Sequence, residues 1–219
     1  MNLYPLFFAG LSGFSIWQVT VHSGGMAIFW VWLTINMGIM TLAYSLNYPG
    51  LLLGKTSSGK INPFCLLINL PWLLLTWLIF QIQAKCSHEE FCHQLADTRY
   101  WLSRRPLGRD ALSRFSLVID LTAEFPLDSH VPHRICIPCL DGHSLPALPM
   151  LDLPPAGQIL IHCANGHGRS ALLAASLLIQ DGTCPTIQEA FELIERSRPG
   201  AVPNTYQKRH ALPVTRLQN

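Results

Sequence analysis

The stretch ILIHCANGHGRSALLAASLLIQ, residues 159–180, decides the fold of the part of the chain that contains it. An apolar run ends at His162 and Cys163, a short segment with two glycines follows, and an apolar pattern resumes after Arg169. This order predicts a buried strand, a tight loop and a buried helix. Backbone N–H groups at the start of such a helix converge on one point, and the helix dipole adds positive charge there. The loop is therefore predicted to be an anion site with Cys163 at its rim.

The side chains of this loop suit phosphoryl transfer. Gly166 and Gly168 allow the backbone to curl tightly, and the positive surroundings favour the thiolate of Cys163, which is the nucleophilic form of the side chain. Arg169 can hold two oxygens of a tetrahedral dianion with its planar fork of N–H groups. The loop thus predicts a site where sulfur attacks phosphorus and the resulting phosphocysteine is hydrolysed.

Two other interpretations of the cysteines compete with this one. Cys163 would be structural if the glycine-rich segment were only a turn, and a metal site with His162 and His167 is disfavoured because adjacent strand residues point to opposite faces. Cys136 and Cys139 form a CxxC pair, which zinc and redox sites use, but their surroundings read as a strand and no second ligand pair stands nearby. The seven cysteines have irregular spacings and indicate reduced thiols.

The segment HCANGHGRS, residues 162–170, resembles the signature of the cysteine-dependent protein tyrosine phosphatase superfamily, in which His-Cys is followed by five residues, Arg, and Ser or Thr. The resemblance extends from about Tyr100 to Tyr206 and is greatest to the compact dual-specificity branch. It implies an enzyme that needs no metal or other cofactor. The branch binds its substrate's phosphate in the loop and protonates the leaving oxygen from an aspartate on a separate acid loop.

The resemblance implies particular roles for residues of this chain. Ser170 would stabilise the thiolate leaving group in the second step, and His162 would orient the loop rather than act as a base. The implied catalytic residues are Cys163, Arg169, Asp141, Ser170 and His162, and the implied phosphate-binding residues are Ala164, Asn165, Gly166, His167, Gly168 and Arg169. Some lipid-directed members carry Lys or Arg within the loop where this chain has Asn165 and His167, so the loop gives little indication of an inositol headgroup.

Four of the aspartates that precede the signature, Asp120, Asp128, Asp141 and Asp152, are candidates for the general acid, and we expect only one to have that role. Asp120 lies inside a predicted strand, and Asp152 lies in a proline-rich connection. Asp141 ends a strand that should run parallel to the Cys163 strand, so its side chain should emerge at the same sheet edge. Asp128, in a turn, is the main rival, but Asp141 is preferred.

The remaining pattern after Lys85 predicts an α/β domain with a mostly parallel sheet flanked by helices, because apolar strands alternate with amphipathic helices. The predicted strands are 100–102, 115–121, 134–140 and 157–163, and the predicted helices are 170–180 and 186–198. The domain boundaries follow as a hydrophobic membrane region at 1–84, a linker helix at 85–99 and a catalytic domain at 100–219.

The first 84 residues have a membrane-like composition. They contain no Asp or Glu, and their only Lys or Arg residues are Lys55 and Lys60, so they carry the formal net charge of +2. The neutral remainder argues against nucleic acid as a partner, because phosphate-backbone binding needs a concentrated basic face. The segments from Leu3 to Val21 and from Met26 to about Leu46 are apolar all round and predict two membrane-spanning helices.

A third apolar segment, residues 61–83, is less simple because Asn69 and Pro71 lie near its middle. We expect these residues to break it into an interfacial or re-entrant element, with a true span as the alternative. The positive-inside rule places the Lys55 loop and the basic stretch after Lys85 on the cytoplasmic side. The sequence therefore predicts a multi-pass membrane protein whose catalytic domain faces the cytoplasm.

These features predict a membrane-anchored phosphomonoester hydrolase acting on a phosphorylated protein or a phospholipid headgroup. Anchoring raises the local concentration of either substrate and does not choose between them. The alternative is a catalytically weak, phosphate-binding membrane adaptor. The intact set of Cys163, Arg169 and Asp141 argues against that alternative.

Overall fold

The computed structural model describes residues 3–50, 54–107, 112–127, 133–146 and 151–211. A five-stranded sheet forms the centre of the part of the chain after residue 90, here called the α/β domain, in the order β1-β2-β5-β3-β4. Its strands are β1 (Cys92–Gln94), β2 (Tyr100–Ser103), β3 (Phe115–Thr122), β4 (Arg134–Cys139) and β5 (Gln158–His162). All neighbouring pairs are parallel except β1 and β2, which are antiparallel. The predicted α/β class with a mostly parallel sheet is confirmed.

Three helices follow β5 along the chain: α4 (Arg169–Gln180), α5 (Ile187–Ser197) and α6 (Thr205–Arg209). Helix α4 is almost entirely buried, since every residue from Arg169 to Leu178 is inaccessible to solvent. It packs on the sheet through residues such as Leu173 and Leu177, which share one core with Ile159 and Ile161 of β5. This burial on both sides of the strand-to-helix turn fixes the position of the loop between them.

Three long apolar helices precede the sheet: α1 (Tyr4–Val21), α2 (Gly25–Leu46) and α3 (Pro63–Cys86). Helices α1 and α2 form an antiparallel hairpin. Two described helices, α2 and α3, are long and apolar enough to cross a membrane. Helix α1 is an 18-residue helix that falls short of the same standard, because polar side chains such as Ser12, Ser15 and Gln18 interrupt its apolar surface.

The expected break in the third apolar segment is wrong, because α3 is one continuous helix that includes Pro71. The Asn69 side-chain amide, which suggested the break, has hydrogen-bond partners within the helices. The Asn69 side chain donates to the carbonyl of Cys65, one turn earlier, at 2.8 Å and accepts from Asn36 of α2 at 2.9 Å. A buried amide with partners of this kind does not require the helix to open.

The predicted linker helix at 85–99 is also wrong. Helix α3 ends at Cys86, and Cys92–Gln94 forms the edge strand β1, paired with β2 through a tight connection. Ala96 adopts a positive φ of 47° in this turn, and Leu95 is fully buried in the core. The polar segment that suggested a helix instead forms a β-hairpin, in which Leu95 is the buried residue.

The apolar helices pack directly against the α/β domain at the carboxyl edge of its sheet. Ala123, which follows β3, and Leu140, which follows β4, share a buried cluster with Phe8, Met40 and Leu73 of the three helices. The contacts place the helices beside the loops that follow the parallel strands, where α/β domains build their sites.

Candidate active site

The loop 163–168 joins β5 to α4 and is held against the end of β2. Gly166 has a φ of +77°, and a Cβ atom at this position would lie 2.5 Å from the backbone carbonyl of Ser103. The N–H of Arg105 donates to the carbonyl of Ala164 at 2.9 Å. Only glycine satisfies both the left-handed conformation and the close approach, so the loop sequence fixes this curled shape.

Cys163 lies at the base of the loop with 3% of its surface exposed. Its Sγ accepts a hydrogen bond from the Gly166 N–H at 3.2 Å and lies 3.5 Å from the Ser170 hydroxyl in the first turn of α4. A backbone donor, a hydroxyl and the N-terminus of a helix therefore surround the sulfur.

Arg169 is buried, and its guanidinium is held from one side by Glu124. Nη1 donates to Oε2 of Glu124 at 2.9 Å, and Nη2 donates to Oε1 at 2.6 Å, while the Cys139 carbonyl accepts a further bond from Nη1 at 2.9 Å. Burial would lower the pKa of Arg169, but Glu124 and Asp141 raise it well above its usual value. Burial likewise opposes ionisation of Glu124, yet the adjacent Arg169 lowers the pKa of that carboxyl. The pair is ionised on both sides.

Among the described residues, this arrangement leaves the Nε edge of the Arg169 guanidinium without a hydrogen bond, although the Asp141 carboxylate lies 3.3 Å from Nε. A guanidinium carries five N–H groups, and Glu124 and Cys139 use three of them. The Nε–H and the second Nη2–H form the parallel fork that suits two oxygens of a phosphate.

Of the aspartates considered as the general acid, Asp141 is the one that lies beside these two N–H groups of Arg169. Its Oδ1 lies 3.3 Å from the Arg169 Nε, and 63% of its side chain is exposed. Asp120 is buried and paired elsewhere, and Asp152 is exposed and does not line the cleft around Cys163. Asp128 lies outside the described residues.

A buried charge network lies beneath the loop at the end of β3 and β5. Asp120 pairs with Lys55, which comes from the segment between α2 and α3, at 2.7 Å. The His162 Nδ1 lies 3.8 Å from Asp120. Burial lowers the pKa of His162, more than Asp120 raises it. Burial opposes charge on Asp120, yet the Lys55 ammonium and hydrogen bonds from Lys55 and Thr122 lower the pKa of its carboxyl. His162 is thus a neutral ring at the end of β5, and its role in orienting the loop stays a prediction.

The outer side of the loop is supported by a second buried arginine. Arg198, which follows α5, donates through Nη2 to Glu89 at 3.0 Å and to the Asn165 carbonyl at 3.4 Å. Glu89 also contacts the His167 ring at 3.0 Å. The predicted phosphate-binding residues Asn165 and His167 are therefore fixed by side chains from both ends of the catalytic domain.

Sequence reasoning missed four residues of the site: Glu124, Lys55, Glu89 and Arg198. Glu124 could have been suspected from the sequence, because it is an acidic residue in the turn that follows a buried strand, at the same sheet edge as Cys163. Lys55 gave a weaker indication, because it is one of only two Lys or Arg residues in a long apolar region. Glu89 and Arg198 are 109 positions apart, and nothing in the local sequence indicates that they meet.

The residues around Cys163 line a cleft of about 400 Å³. Its floor is the loop with Arg169, and Glu124 and Asp141 lie at its side. One wall comes from the apolar helices, with Tyr4, Met40, Tyr44, Trp72, Thr76, Ile79, Phe80 and Gln83 among the lining residues. The Gln83 side chain accepts a hydrogen bond from Asn165 at 3.1 Å, which ties the end of α3 to the loop.

The CxxC pair lies outside this cleft on β4. Burial raises the pKa of Cys136 to about 11 and that of Cys139 to about 12. Both thiols are therefore protonated at neutral pH and poorly suited to redox exchange. No group of three or more His, Cys, Asp or Glu side chains in the described ranges is arranged to hold a metal ion.

Comparison with known proteins gives structural neighbours only. No protein-family model and no curated protein matches the sequence. The chain is similar to Tk-PTP in its active form, with 22% identity and a TM-score of 0.45 over 55% of this chain and 92% of that one. It is similar to human DUSP28, with 19% identity and a TM-score of 0.41 over 56% of this chain and 91% of that one. It is also similar to PTPMT1 in complex with PI(5)P, with 18% identity and a TM-score of 0.45 over 56% and 92% of the two chains. At these values the likeness concerns the fold and assigns no activity, which has to be argued from the site.

Proposed function

We propose that the protein is a membrane-anchored phosphomonoester hydrolase that acts through a cysteinyl-phosphate intermediate, as the loop resemblance implies. The observation that carries the proposal is the open Nε edge of the buried Arg169 guanidinium, which lies in one cleft with the buried Cys163 sulfur. Buried N–H groups without hydrogen bonds are costly, and Asp141, 3.3 Å from Nε, forms an ion pair with this edge but no hydrogen bond. The oxygens of a phosphate monoester would supply the hydrogen bonds that the edge lacks.

The reaction divides into two steps. In the first, the Cys163 thiolate attacks phosphorus and forms a P–S bond, while the P–O bond to the alcohol breaks and Asp141 protonates the departing oxygen. In the second, water attacks phosphorus, gives a proton to the Asp141 carboxylate, and the P–S bond breaks. The Ser170 hydroxyl, 3.5 Å from Sγ, donates to the thiolate that leaves. Inorganic phosphate is the product.

The arrangement of the helices supports a cytoplasmic catalytic domain. The segment before α3 contacts the catalytic domain through Lys55, and the chain after α3 enters that domain directly. Both ends of α3 thus lie beside the same domain, although its 24 residues would extend about 36 Å. We infer that α3 lies along the membrane interface, that the α1–α2 hairpin inserts, and that the positive-inside rule puts the domain in the cytoplasm.

Hydrolysis of an aryl phosphate by the purified full chain tests the function. Cys163→Ser should reduce turnover to the background, because a neutral hydroxyl lacks the nucleophilicity of a thiolate. Arg169→Lys should lower kcat/KM by more than tenfold, because a point charge cannot reproduce the planar fork. Orthovanadate should inhibit the wild-type enzyme. Turnover that survives in Cys163→Ser would contradict the mechanism, whereas phosphate binding without turnover in the wild type would favour the adaptor.

A further inference from the structure

One face of α3 forms a wall of the catalytic cleft. Trp72, Thr76, Ile79 and Gln83 all line the cleft, at intervals of three or four residues, so they lie along a single helix face. The Trp77 indole, at the side of this face, donates to the Glu124 carbonyl at 2.8 Å. The wall is therefore fixed to the turn that holds the Arg169 guanidinium.

The remaining surface of α3 is apolar and exposed. Its large exposed side chains are Phe64, Leu67, Leu74, Leu75, Leu78, Ile79 and Ile82. Ile79 belongs both to the cleft wall and to this exposed set, so it marks a place where the cleft meets the apolar outer surface of the helix. If the exposed surface contacts lipid, the cleft opens at the edge of the bilayer.

The cleft has one arginine with which to hold a phosphate group. Among the described residues that line it, Arg169 is the permanent cation, and Glu124 and Asp141 are acidic. Glu124 neutralises one edge of Arg169, and Asp141 lies 3.3 Å from its Nε, so a phosphate would bind through the N–H groups of Arg169 and of the loop and not through a surplus of positive charge. A ligand with several phosphates or an acidic peptide would meet the two carboxylates without further cations.

We propose that the substrate is a phospholipid whose headgroup ends in a phosphomonoester, with the phosphate on the Cys163 loop and the first carbons of its acyl chains against the α3 wall. This inference rests on the proposed function and adds to it a binding subsite for acyl chains. The cleft of about 400 Å³ is within the usual size of small-molecule sites. Only the headgroup and the nearest carbons need to enter it, because the rest of each chain remains in the bilayer.

Binding by the inactive Cys163→Ser full chain in nanodiscs tests the subsite without turnover. Calorimetry would compare dihexanoyl phosphatidate, below its micelle concentration, with glycerol 3-phosphate, which has the same headgroup and no acyl chain. Burial of a few methylene groups should make the lipid bind about a hundredfold more tightly. A difference below tenfold would overturn the inference, and so would tighter binding of a phosphotyrosine peptide, which would favour a phosphoprotein substrate.

Two matched variants of the active enzyme separate the subsite from simple partitioning into the nanodisc. Ile79→Trp narrows the cleft and should lower the ratio of phosphatidate to aryl phosphate turnover at least tenfold. Leu78→Trp places the same side chain on the exposed surface and should leave that ratio unchanged. Equal ratios in the two variants would overturn the lipid inference. Aryl phosphate turnover that does not depend on Cys163 would instead contradict the proposed function, and the calorimetric ratio would still decide the substrate class.

Discussion

At the scale of single residues, Asp141 has the position that a general acid requires. Its carboxylate lies next to the open edge of Arg169 and faces the cleft, and its exposure leaves it free to exchange protons with water. A phosphate bound on that edge would bring its leaving oxygen close to Asp141. The proton is needed only when the leaving group is strongly basic.

Asp141→Asn should therefore lower turnover of an alkyl phosphate by about 10²- to 10⁴-fold and that of a nitrophenyl phosphate much less. Steady-state rates on the two substrates measure the difference. Asp152→Asn changes an exposed aspartate outside the cleft and should alter neither rate. If Asp128→Asn shows the leaving-group dependence and Asp141→Asn does not, the acid is Asp128.

Ionisation of Glu124 makes the stability of the folded protein depend on pH. Because Arg169 holds the pKa of this buried carboxyl below its unfolded value of about 4.3, Glu124 stabilises the folded state above that pH. The contribution is lost as the pH falls through the folded pKa. Glu124→Gln should therefore be less stable at pH 7, and its stability should fall less steeply below about pH 4.

Thermal unfolding in detergent between pH 3 and 7 measures this change. Glu195→Gln, which replaces an exposed glutamate, should keep the wild-type profile. The same Glu124→Gln variant should have a reduced kcat, because the guanidinium loses the carboxylate that orients it. A wild-type acid profile in Glu124→Gln would show that the ion pair contributes little.

The common position of Cys163, the loop and Asp141 in one cleft could be predicted from sequence, because these residues lie in one short motif and at one strand end. That Glu124 is the partner of Arg169 could not be predicted from residue spacing. Glu124 reaches Arg169 across 45 positions of sequence, through the parallel pairing of β3 with β5. Only the register of that pairing decides which acidic side chain faces the arginine.

At the scale of elements, the segment between α2 and α3 contributes a buried side chain to the α/β domain. Lys55 is fully buried, and its ammonium donates to Asp120, to the Thr122 carbonyl at 2.7 Å and to the Thr122 hydroxyl at 3.1 Å. Asp120 lies opposite His162 in the pairing of β3 with β5. The N-terminal apolar part of the chain thus supplies the cation for a carboxylate directly beneath the loop 163–168.

Removing the Lys55 ammonium should destabilise the folded protein. Lys55→Met would leave Asp120 buried without its partner and should lower the free energy of unfolding by about 3–5 kcal/mol. The double variant with Asp120→Asn should recover much of that loss, since both charges are then gone. Denaturant unfolding in detergent gives the values.

Lys60→Met provides the control, because Lys60 lies in the same loop and is exposed. It should change stability by less than about 0.5 kcal/mol. If Lys55→Met behaves like Lys60→Met, the buried pair does not stabilise the domain.

The strands and α4 could be predicted from their apolar patterns, whereas the two errors both involved polar residues. Asn69 suggested a break in α3, but Asn36 from another helix satisfies it. The segment after Lys85 suggested a helix, but a single buried residue, Leu95, and a turn at Ala96 make it a hairpin. In each case a tertiary contact overrides the local preference.

At the scale of the whole molecule, both ends of α3 should be on one side of the membrane. Single cysteines at positions 57 and 88, which are exposed before and after α3, report the two ends. In intact cells, an impermeant maleimide should label neither position, and lysis should expose both. Opposite accessibility would establish α3 as a true span.

A cysteine at position 23, in the turn between α1 and α2, completes the experiment. It should be labelled in intact cells, because the hairpin tip then reaches the opposite side. Protection of position 23 together with 57 and 88 would mean that the hairpin enters the bilayer without crossing it.

The position of Lys55 also affects how the protein is made. A ribosome releases the chain from its N-terminus, so the hairpin and the lysine that follows it leave the exit tunnel before β3 does. By the time Asp120 is synthesised, its counter-ion Lys55 and the two helices before it have already been made. The buried pair can then form as soon as β3 folds, so the order of synthesis supplies the cation before the carboxylate that needs it.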